Sequence, residues 1–130
     1  MPQTIQISIV DDDESVREAL VGLMQSHGYG ADAFESGESF LNAEHRGRCD
    51  CLIADMHMPG MTGLELMDRL AAVGQVVPTI LITARHDENV RAHALQAGAR
   101  CYLAKPFSEA ALLTCIRSAL KGRQAGPEPS

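Results

Sequence analysis

The stretch Cys51–Gly60, Cys-Leu-Ile-Ala-Asp-Met-His-Met-Pro-Gly, decides the fold of this chain. Its short apolar run ends on one carboxylate, that of Asp55, and a Pro-Gly pair follows shortly afterwards. An apolar run of this length, bounded by turn residues, is typical of a buried strand. Asp55 is therefore predicted at the carboxyl end of a buried strand, where its charge needs partners because an unpaired buried charge is costly.

Length and charge exclude several classes of protein. The chain has 130 residues and a net charge of −6, which allows one domain with a real core and disfavours binding to a polyanion such as DNA. The first residues lack a basic region, and Asp11–Asp13 ends their apolar run, so they predict neither a signal peptide nor a membrane span. We expect a cytoplasmic protein without membrane contact and without direct nucleic-acid contact by this domain.

The cysteines give no sign of a metal or redox site. Cys49, Cys51, Cys101 and Cys115 lack paired Cys-x-x-Cys spacing. In a reducing compartment such residues behave as small apolar side chains. We expect all four to be buried and unpaired.

Five apolar runs alternate with five segments that carry helix signals. The runs are Ile5–Val10, Tyr29–Phe34, Cys51–Ala54, Thr79–Ile82 and Cys101–Leu103, and the expected helix caps are Asp13, Ser36, Thr62, Asp87 and Ser108. Such alternation predicts right-handed crossovers and a parallel sheet covered on both faces. Five strands fit an α/β, flavodoxin-like (βα)5 doubly wound sandwich with strand order 2-1-3-4-5. The domain is predicted to span residues 1–121, and residues 122–130 to form a flexible tail or the start of a linker.

Polar residues follow the predicted strands at their carboxyl ends. The first strand ends at Asp11 and Asp12, the third at Asp55, the fourth at Thr83 and the fifth near Lys105. In the predicted order, the three acids meet at the switch point between the first and third strands. Carboxylates this close repel one another unless a cation lies between them, and their oxygens suit Mg²⁺.

This set of side chains suits phosphoryl transfer to a carboxylate. A carboxylate can act as a nucleophile toward phosphorus and form an aspartyl phosphate. The phosphoryl oxygens then need Mg²⁺, an ammonium and a hydroxyl group around them, which Lys105 and Thr83 can help to provide. Asp55 is the better nucleophile candidate because it stands alone, whereas Asp11 and Asp12 form a pair suited to holding metal.

Four motifs resemble those of response-regulator receiver domains. They are Ile9–Asp13, Ile53–Gly63, Ile82–Ala84 and Tyr102–Phe107, and the resemblance covers Ile5 to Leu120. It implies that Asp55 accepts a phosphoryl group from the phosphohistidine of a sensor histidine kinase or a phosphotransfer protein. It also implies that Mg²⁺ is bound directly by Asp12, mainly through water by Asp11, and by the backbone carbonyl of His57, and that Thr83 and Lys105 contact the phosphoryl oxygens.

The resemblance further implies a switch. Phosphorylation would draw the Thr83 hydroxyl inward, and the ring of Tyr102 would follow. This would repack the face made by the fourth helix, fifth strand and fifth helix, where such domains dimerise or meet partners. The resemblance also implies a cis Lys105–Pro106 peptide bond. The remaining residues expected to flank the site are Met56, His57, Ala84, Arg85 and Pro106.

Residues 55–63 are also similar to receivers of nitrogen-fixation-type transcriptional regulators, which carry a C-terminal helix-turn-helix domain. That similarity implies a role in transcription control through an attached or partner output domain. A receiver assists its own phosphorylation and dephosphorylation only, so we do not expect an enzyme in the usual sense.

Two other interpretations stay open. Residues 11–15, Asp-Asp-Asp-Glu-Ser, follow an apolar strand as in haloacid-dehalogenase-like phosphatases, with Asp11 as nucleophile. Against this, a second acidic metal motif downstream is missing and Asp55 would have no role. The other alternative is a receiver-like binding module that is never phosphorylated, for which the complete residue set would be unnecessary.

Overall fold

The computed structural model describes residues 5–43 and 49–125 of the chain. Within these residues the strands are β1 (Gln6–Val10), β2 (Gly30–Phe34), β3 (Cys51–Asp55), β4 (Thr79–Thr83) and β5 (Cys101–Ala104). The helices are α1 (Glu14–Ser26), α2 (Gly37–Leu41), α3 (Gly63–Ala72), α4 (Glu88–Gln96) and α5 (Glu109–Ala125). Strand and helix alternate along the chain as predicted.

The strands form one parallel sheet in the order β2-β1-β3-β4-β5. The predicted flavodoxin-like fold is therefore confirmed. Each apolar run found in the sequence coincides with a strand to within one residue at either end. Because all strands run in the same direction, the residues that follow them gather at one edge of the sheet, the carboxyl edge.

Two buried apolar clusters lie on opposite faces of the sheet. Helices α1 and α5 cover one face, and α2, α3 and α4 cover the other. Strand β3 shows how the pleat supplies both clusters, since Cys51 and Ile53 belong to the first whereas Leu52 and Ala54 belong to the second. Burial on both faces explains why the central strands are continuous apolar runs rather than alternating ones.

The predicted capping residues occupy the helix starts. Asp13 accepts hydrogen bonds from the backbone N–H groups of Ser15 and Val16, and Thr62 forms a reciprocal capping box with Glu65. The other caps, which accept from N–H groups in the first turn of their helices, are Ser36, Asp87 and Ser108. Each cap satisfies N–H groups that have no partner within their own helix.

The prediction that all cysteines are unpaired is wrong for two of them. Cys101, the first residue of β5, forms a disulfide with Cys115 on α5, with Cα atoms 6.1 Å apart. Their separation of 14 residues belongs to no short motif, so only the packing of α5 against the sheet brings them together. Cys49 and Cys51 are free and buried, and burial raises the pKa of the Cys51 thiol to about 12.

Helix α5 continues to Ala125, past the boundary predicted after residue 121. Residues 126–130 of the predicted tail, and residues 1–4, lie outside the described residues. Across the described ranges, none of the helices combines the length and the apolar character that a membrane span requires.

Candidate functional site

Three carboxylates meet at the carboxyl edge between β1 and β3. Asp11, Asp12 and Asp55 each place one oxygen within 4.8 Å of the others. Asp11 and Asp55 are buried, whereas Asp12 is exposed. In the parallel register Val10 lies opposite Ala54, so the residues that follow them, Asp11 and Asp55, are neighbours. The strand register therefore produces the predicted acidic cluster.

Asp55 lies where its ionised form is disfavoured. Burial raises the pKa of the Asp55 carboxyl, and the negative charges of Asp11 and Asp12 raise it further, whereas the His57 backbone N–H and the Lys105 ammonium lower it. The His57 N–H donates a hydrogen bond to Asp55 Oδ1 over 3.3 Å. The net result favours either a proton on Asp55 or a cation beside it.

Lys105 brings an ammonium group to the acidic cluster. Its Nζ lies 3.2 Å from Asp11 Oδ2 and 3.9 Å from Asp55 Oδ2. The Lys105–Pro106 peptide bond is cis, and the Lys105 backbone N–H donates to the Thr83 carbonyl over 2.7 Å. Lys105 can therefore neutralise one of the three carboxylates, which leaves the cluster with excess negative charge.

The loop between β1 and α1 is held by contacts that the sequence did not suggest. Arg17 Nη1 donates to the Asp11 backbone carbonyl over 2.8 Å, and the Asp13 N–H donates to Asp11 Oδ1 over 2.9 Å. A cation near a helix N-terminus is electrostatically disfavoured, so the position of Arg17 could have indicated a contact outside α1 but not its partner. Arg17 thus fixes the loop that carries the acids.

Thr83, the last residue of β4, has its hydroxyl fully engaged. Oγ1 donates to the Arg85 carbonyl over 2.9 Å and accepts from the Arg85 N–H over 3.0 Å. The same Oγ1 lies 3.0 Å from Nε2 of the His57 ring. The sequence predicts that His57 flanks the site, but it gives no indication of this contact with Thr83.

Tyr102 is buried in the cluster beneath α3 and α4, with 8% of its surface exposed. Its hydroxyl has no hydrogen-bond partner within the part of the chain that the structure describes, a condition that costs about 1–3 kcal/mol. Because the ring already lies in the core, the predicted inward movement has little distance left to cover in this conformation. The switch role of Tyr102 stays a prediction.

The other residues expected to flank the site differ in exposure. Met56 is buried, whereas the exposed ones are His57, Ala84, Arg85 and Pro106. Gly63, at the start of α3, makes a close contact that its motif alone did not explain. A Cβ atom there would lie 2.7 Å from the Asp55 carbonyl oxygen and 2.9 Å from Leu81 Cδ2, so α3 begins directly against the strand that carries Asp55.

Comparison with known proteins agrees with this geometry. A family model described as the response regulator receiver domain matches residues 7–117. The chain is 43% identical over 115 residues to the response regulator protein TodT of Pseudomonas putida, covering 88% of this chain and 51% of that protein. It is 36% identical over 125 residues to the transcriptional regulatory protein FixJ of Azorhizobium caulinodans, covering 96% and 59%.

Solved structures agree as well. The response regulator StyR superimposes with a TM-score of 0.84 at 40% identity, covering 95% of this chain and 64% of that one. The crystal structure described as FixJ-N gives a TM-score of 0.83 at 32% identity, covering 92% of this chain and 96% of that one. The chain spans about half the length of the curated relatives that it matches.

Proposed function

The chain belongs to the response regulator receiver domain family, and from this we propose that Asp55 is its phosphoacceptor. Receivers of this family act in two-component signalling, so the role of the domain is to accept and hold a signal. The observation that carries the assignment is the convergence of Asp11, Asp12 and Asp55 beside Lys105. This arrangement combines a nucleophile with groups that bind a phosphoryl group.

The proposed transfer forms one bond and breaks another. An Asp55 carboxylate oxygen attacks the phosphorus of a kinase phosphohistidine, the new P–O bond forms, and the P–N bond breaks, leaving the imidazole. The Lys105 ammonium leaves Asp11 to bind a phosphoryl oxygen, and the Thr83 hydroxyl donates to another. Helix α3 begins close to the nucleophile, since a Cβ atom on Gly63 would lie 2.7 Å from the Asp55 carbonyl oxygen.

The donor set also fits Mg²⁺. Within the described residues, the site places three carboxylates beside the Lys105 ammonium, and carboxylate oxygens are ligands that Mg²⁺ accepts. Asp12 and Asp55 would hold the ion directly, Asp11 mainly through water, and His57 through its backbone carbonyl. When bound there, Mg²⁺ supplies positive charge opposite the phosphoryl oxygens.

Membership in the receiver family supports the partners that we propose. A sensor histidine kinase or phosphotransfer protein would donate the phosphoryl group, and we expect the domain to receive it in the cytoplasm. The output would be control of transcription through an attached or partner domain, with a homodimer as one product of phosphorylation. The domain would assist its own phosphorylation and dephosphorylation without turning over a separate substrate.

A phosphatase with Asp11 as nucleophile is not favoured. Asp11 has no exposed surface, and its Oδ2 lies 3.2 Å from Lys105 Nζ, against 3.9 Å for Asp55 Oδ2, so Asp11 is the more firmly paired of the two carboxylates. The match to the receiver family also covers the chain through residue 117. Asp11 is better suited to a supporting role.

Acetyl phosphate and Mg²⁺ provide the test. We expect a phosphoryl adduct on Asp55 by mass spectrometry of the acid-quenched protein, lost with EDTA and in Asp55→Asn. Asp68→Asn, an exposed change on α3, is the matched control and should be labelled like the wild type. An adduct on Asp11 would support the phosphatase instead, and no adduct on any residue would support the unphosphorylated binding module.

A further inference from the structure

The side chain of His57 is the feature that the phosphoacceptor role does not use. Its backbone N–H donates to Asp55 Oδ1, and its ring nitrogen Nε2 lies 3.0 Å from Thr83 Oγ1. One residue thus joins the nucleophile to the hydroxyl that the phosphoryl group would need. No other side chain in the described residues makes a hydrogen bond to Thr83 Oγ1.

A count of hydrogen bonds shows what the ring does. A threonine hydroxyl has one hydrogen to donate and two lone pairs to accept with. The hydrogen goes to the Arg85 carbonyl, one lone pair accepts from the Arg85 N–H, and the other faces His57 Nε2. With the hydrogen donated to Arg85, the imidazole contact is satisfied when Nε2 carries a hydrogen and donates it to Oγ1.

We propose that His57 is a positioning residue that restrains the Thr83 hydroxyl in its bonds to Arg85 and so opposes the phosphorylated conformation. The proposal rests on Asp55 being the phosphoacceptor. To donate to a phosphoryl oxygen, Thr83 must withdraw its hydrogen from the Arg85 carbonyl. Rotation of the hydroxyl group then also breaks its bond to His57. Because His57 binds Thr83 only in the unphosphorylated conformation, this hydrogen bond shifts the population toward that conformation.

The burial of Tyr102 is compatible with a restraint of Thr83 by His57. The ring is buried although Thr83 still holds its bonds to Arg85 and His57. Burial of Tyr102 therefore does not by itself release Thr83. The contact with His57 is an added restraint on the Thr83 side of the site.

The test uses beryllofluoride with Mg²⁺, a stable stand-in for the phosphoryl group, on the full chain. His57→Phe keeps a ring of similar size but removes Nε2, so the variant loses the hydrogen bond without opening the site to water. We expect it to bind beryllofluoride about threefold to tenfold more tightly than the wild type, the factor that corresponds to one neutral hydrogen bond. His27→Phe, an exposed histidine just after α1, should leave the affinity unchanged.

A double-mutant cycle separates the hydrogen bond from a steric effect. In a Thr83→Ala background, His57→Phe should no longer change the affinity, because the group that His57 restrains is absent. Equal or weaker binding by His57→Phe would overturn the proposal, and so would a gain that persists without Thr83. If the wild type itself failed to bind beryllofluoride at Asp55, the phosphoacceptor assignment would fail instead, so the two failures are distinguishable.

A spectroscopic measurement provides a second readout that a packing effect would not change. In the neutral form of the His57 ring, the ¹⁵N chemical shifts should show hydrogen on Nε2. Thr83→Ala should shift this tautomer equilibrium and leave the His27 ring unaffected. A His57 ring with its hydrogen on Nδ1 in the wild type, or one indifferent to Thr83→Ala, would contradict the assigned donor.

Discussion

Helices α3 and α4 cover the same face of the sheet but are attached to it very differently. Helix α3 buries Gly63, Leu66 and Leu70, whereas α4 buries only Ala94. Both begin with a capping residue, so the difference lies in packing rather than in helix initiation. Helix α3, which follows Asp55, is therefore held to the sheet by core contacts. Helix α4, which follows Thr83, would lose few buried contacts if it moved.

The largest expected effect tests this difference in packing directly. Leu66→Ala removes a fully buried side chain from α3 and should lower the free energy of unfolding by about 3 kcal/mol. Val90→Ala, its counterpart on α4, truncates a half-buried side chain and should cost about 1 kcal/mol or less. Urea denaturation measures both, and similar losses would remove the distinction between the helices.

Gly63→Ala tests how closely α3 is seated on the strand. The added Cβ would lie 2.7 Å from the Asp55 carbonyl oxygen, so we expect a loss of about 2 kcal/mol from forced backbone shifts. Gly22→Ala, in the middle of α1 with open space around the new atom, should instead stabilise the domain by about 0.5–1 kcal/mol. A Gly63→Ala variant as stable as the wild type would show that the contact can relax at no cost.

Asp55→Asn tests how much the charge of the Asp55 carboxylate lowers the free energy of unfolding. Without Mg²⁺ at pH 7, we expect this variant to be about 1 kcal/mol more stable than the wild type, because function at such sites is retained at the expense of stability. Asp12→Ala should change stability in the same direction by relieving like-charge repulsion. Asp68→Asn, exposed on α3, should stay within about 0.5 kcal/mol of the wild type.

The stability difference between Asp55→Asn and the wild type should depend on pH, and the raised pKa of Asp55 gives its sign. The folded state binds the Asp55 proton more tightly than the unfolded state, so this group contributes stability at low pH and loses it as pH rises from the ordinary value of 3.8 through the raised pKa. The advantage of Asp55→Asn should therefore shrink on acidification toward that ordinary value. Melting temperatures in EDTA across this range measure it, and an advantage that grew on acidification would reverse the assigned shift.

The smallest expected effect compares the helix caps. Thr62→Ala removes the capping box of α3 and should cost about 1 kcal/mol of global stability. Asp87→Ala removes the α4 cap, but because α4 buries so little, we expect a global loss of less than about half of that. Faster amide hydrogen exchange confined to α4 should accompany it. A larger global loss from Asp87→Ala would mean that α4 is anchored by contacts beyond Ala94.

The sequence could predict the fold because its main signals are local. Apolar runs such as Thr79–Ile82, and caps such as Thr62, depend on residues close in the chain. The strand order then followed because five alternating units fit the flavodoxin-like fold, and that order brought the strand ends at Asp11 and Asp55 together. For these features, the spacing of residues along the chain is enough to predict where each strand and helix begins and ends.

The features that escaped prediction depend on side-chain contacts across the fold. The disulfide of Cys101 and Cys115 needs α5 to lie over β5 in one particular register. The contact between His57 and Thr83 joins residues 26 positions apart, and that of Arg17 with the Asp11 carbonyl depends on the path of a loop. Burial of Tyr102, whose hydroxyl has no hydrogen-bond partner among the residues that the structure describes, likewise reflects packing that no motif encodes.

The most direct test of the central claim follows backbone amide signals by NMR through two additions. Mg²⁺ alone should shift amides near Asp11, Asp12 and Asp55, and later beryllofluoride should shift those of Thr83, Arg85, Tyr102 and α4 while amides in the body of α3 barely move. This result would place phosphoryl binding beside the well-packed helix α3 and the conformational change in the loosely packed helix α4. Beryllofluoride shifts absent from Asp55 and Thr83, or spread equally over α3 and α4, would contradict it.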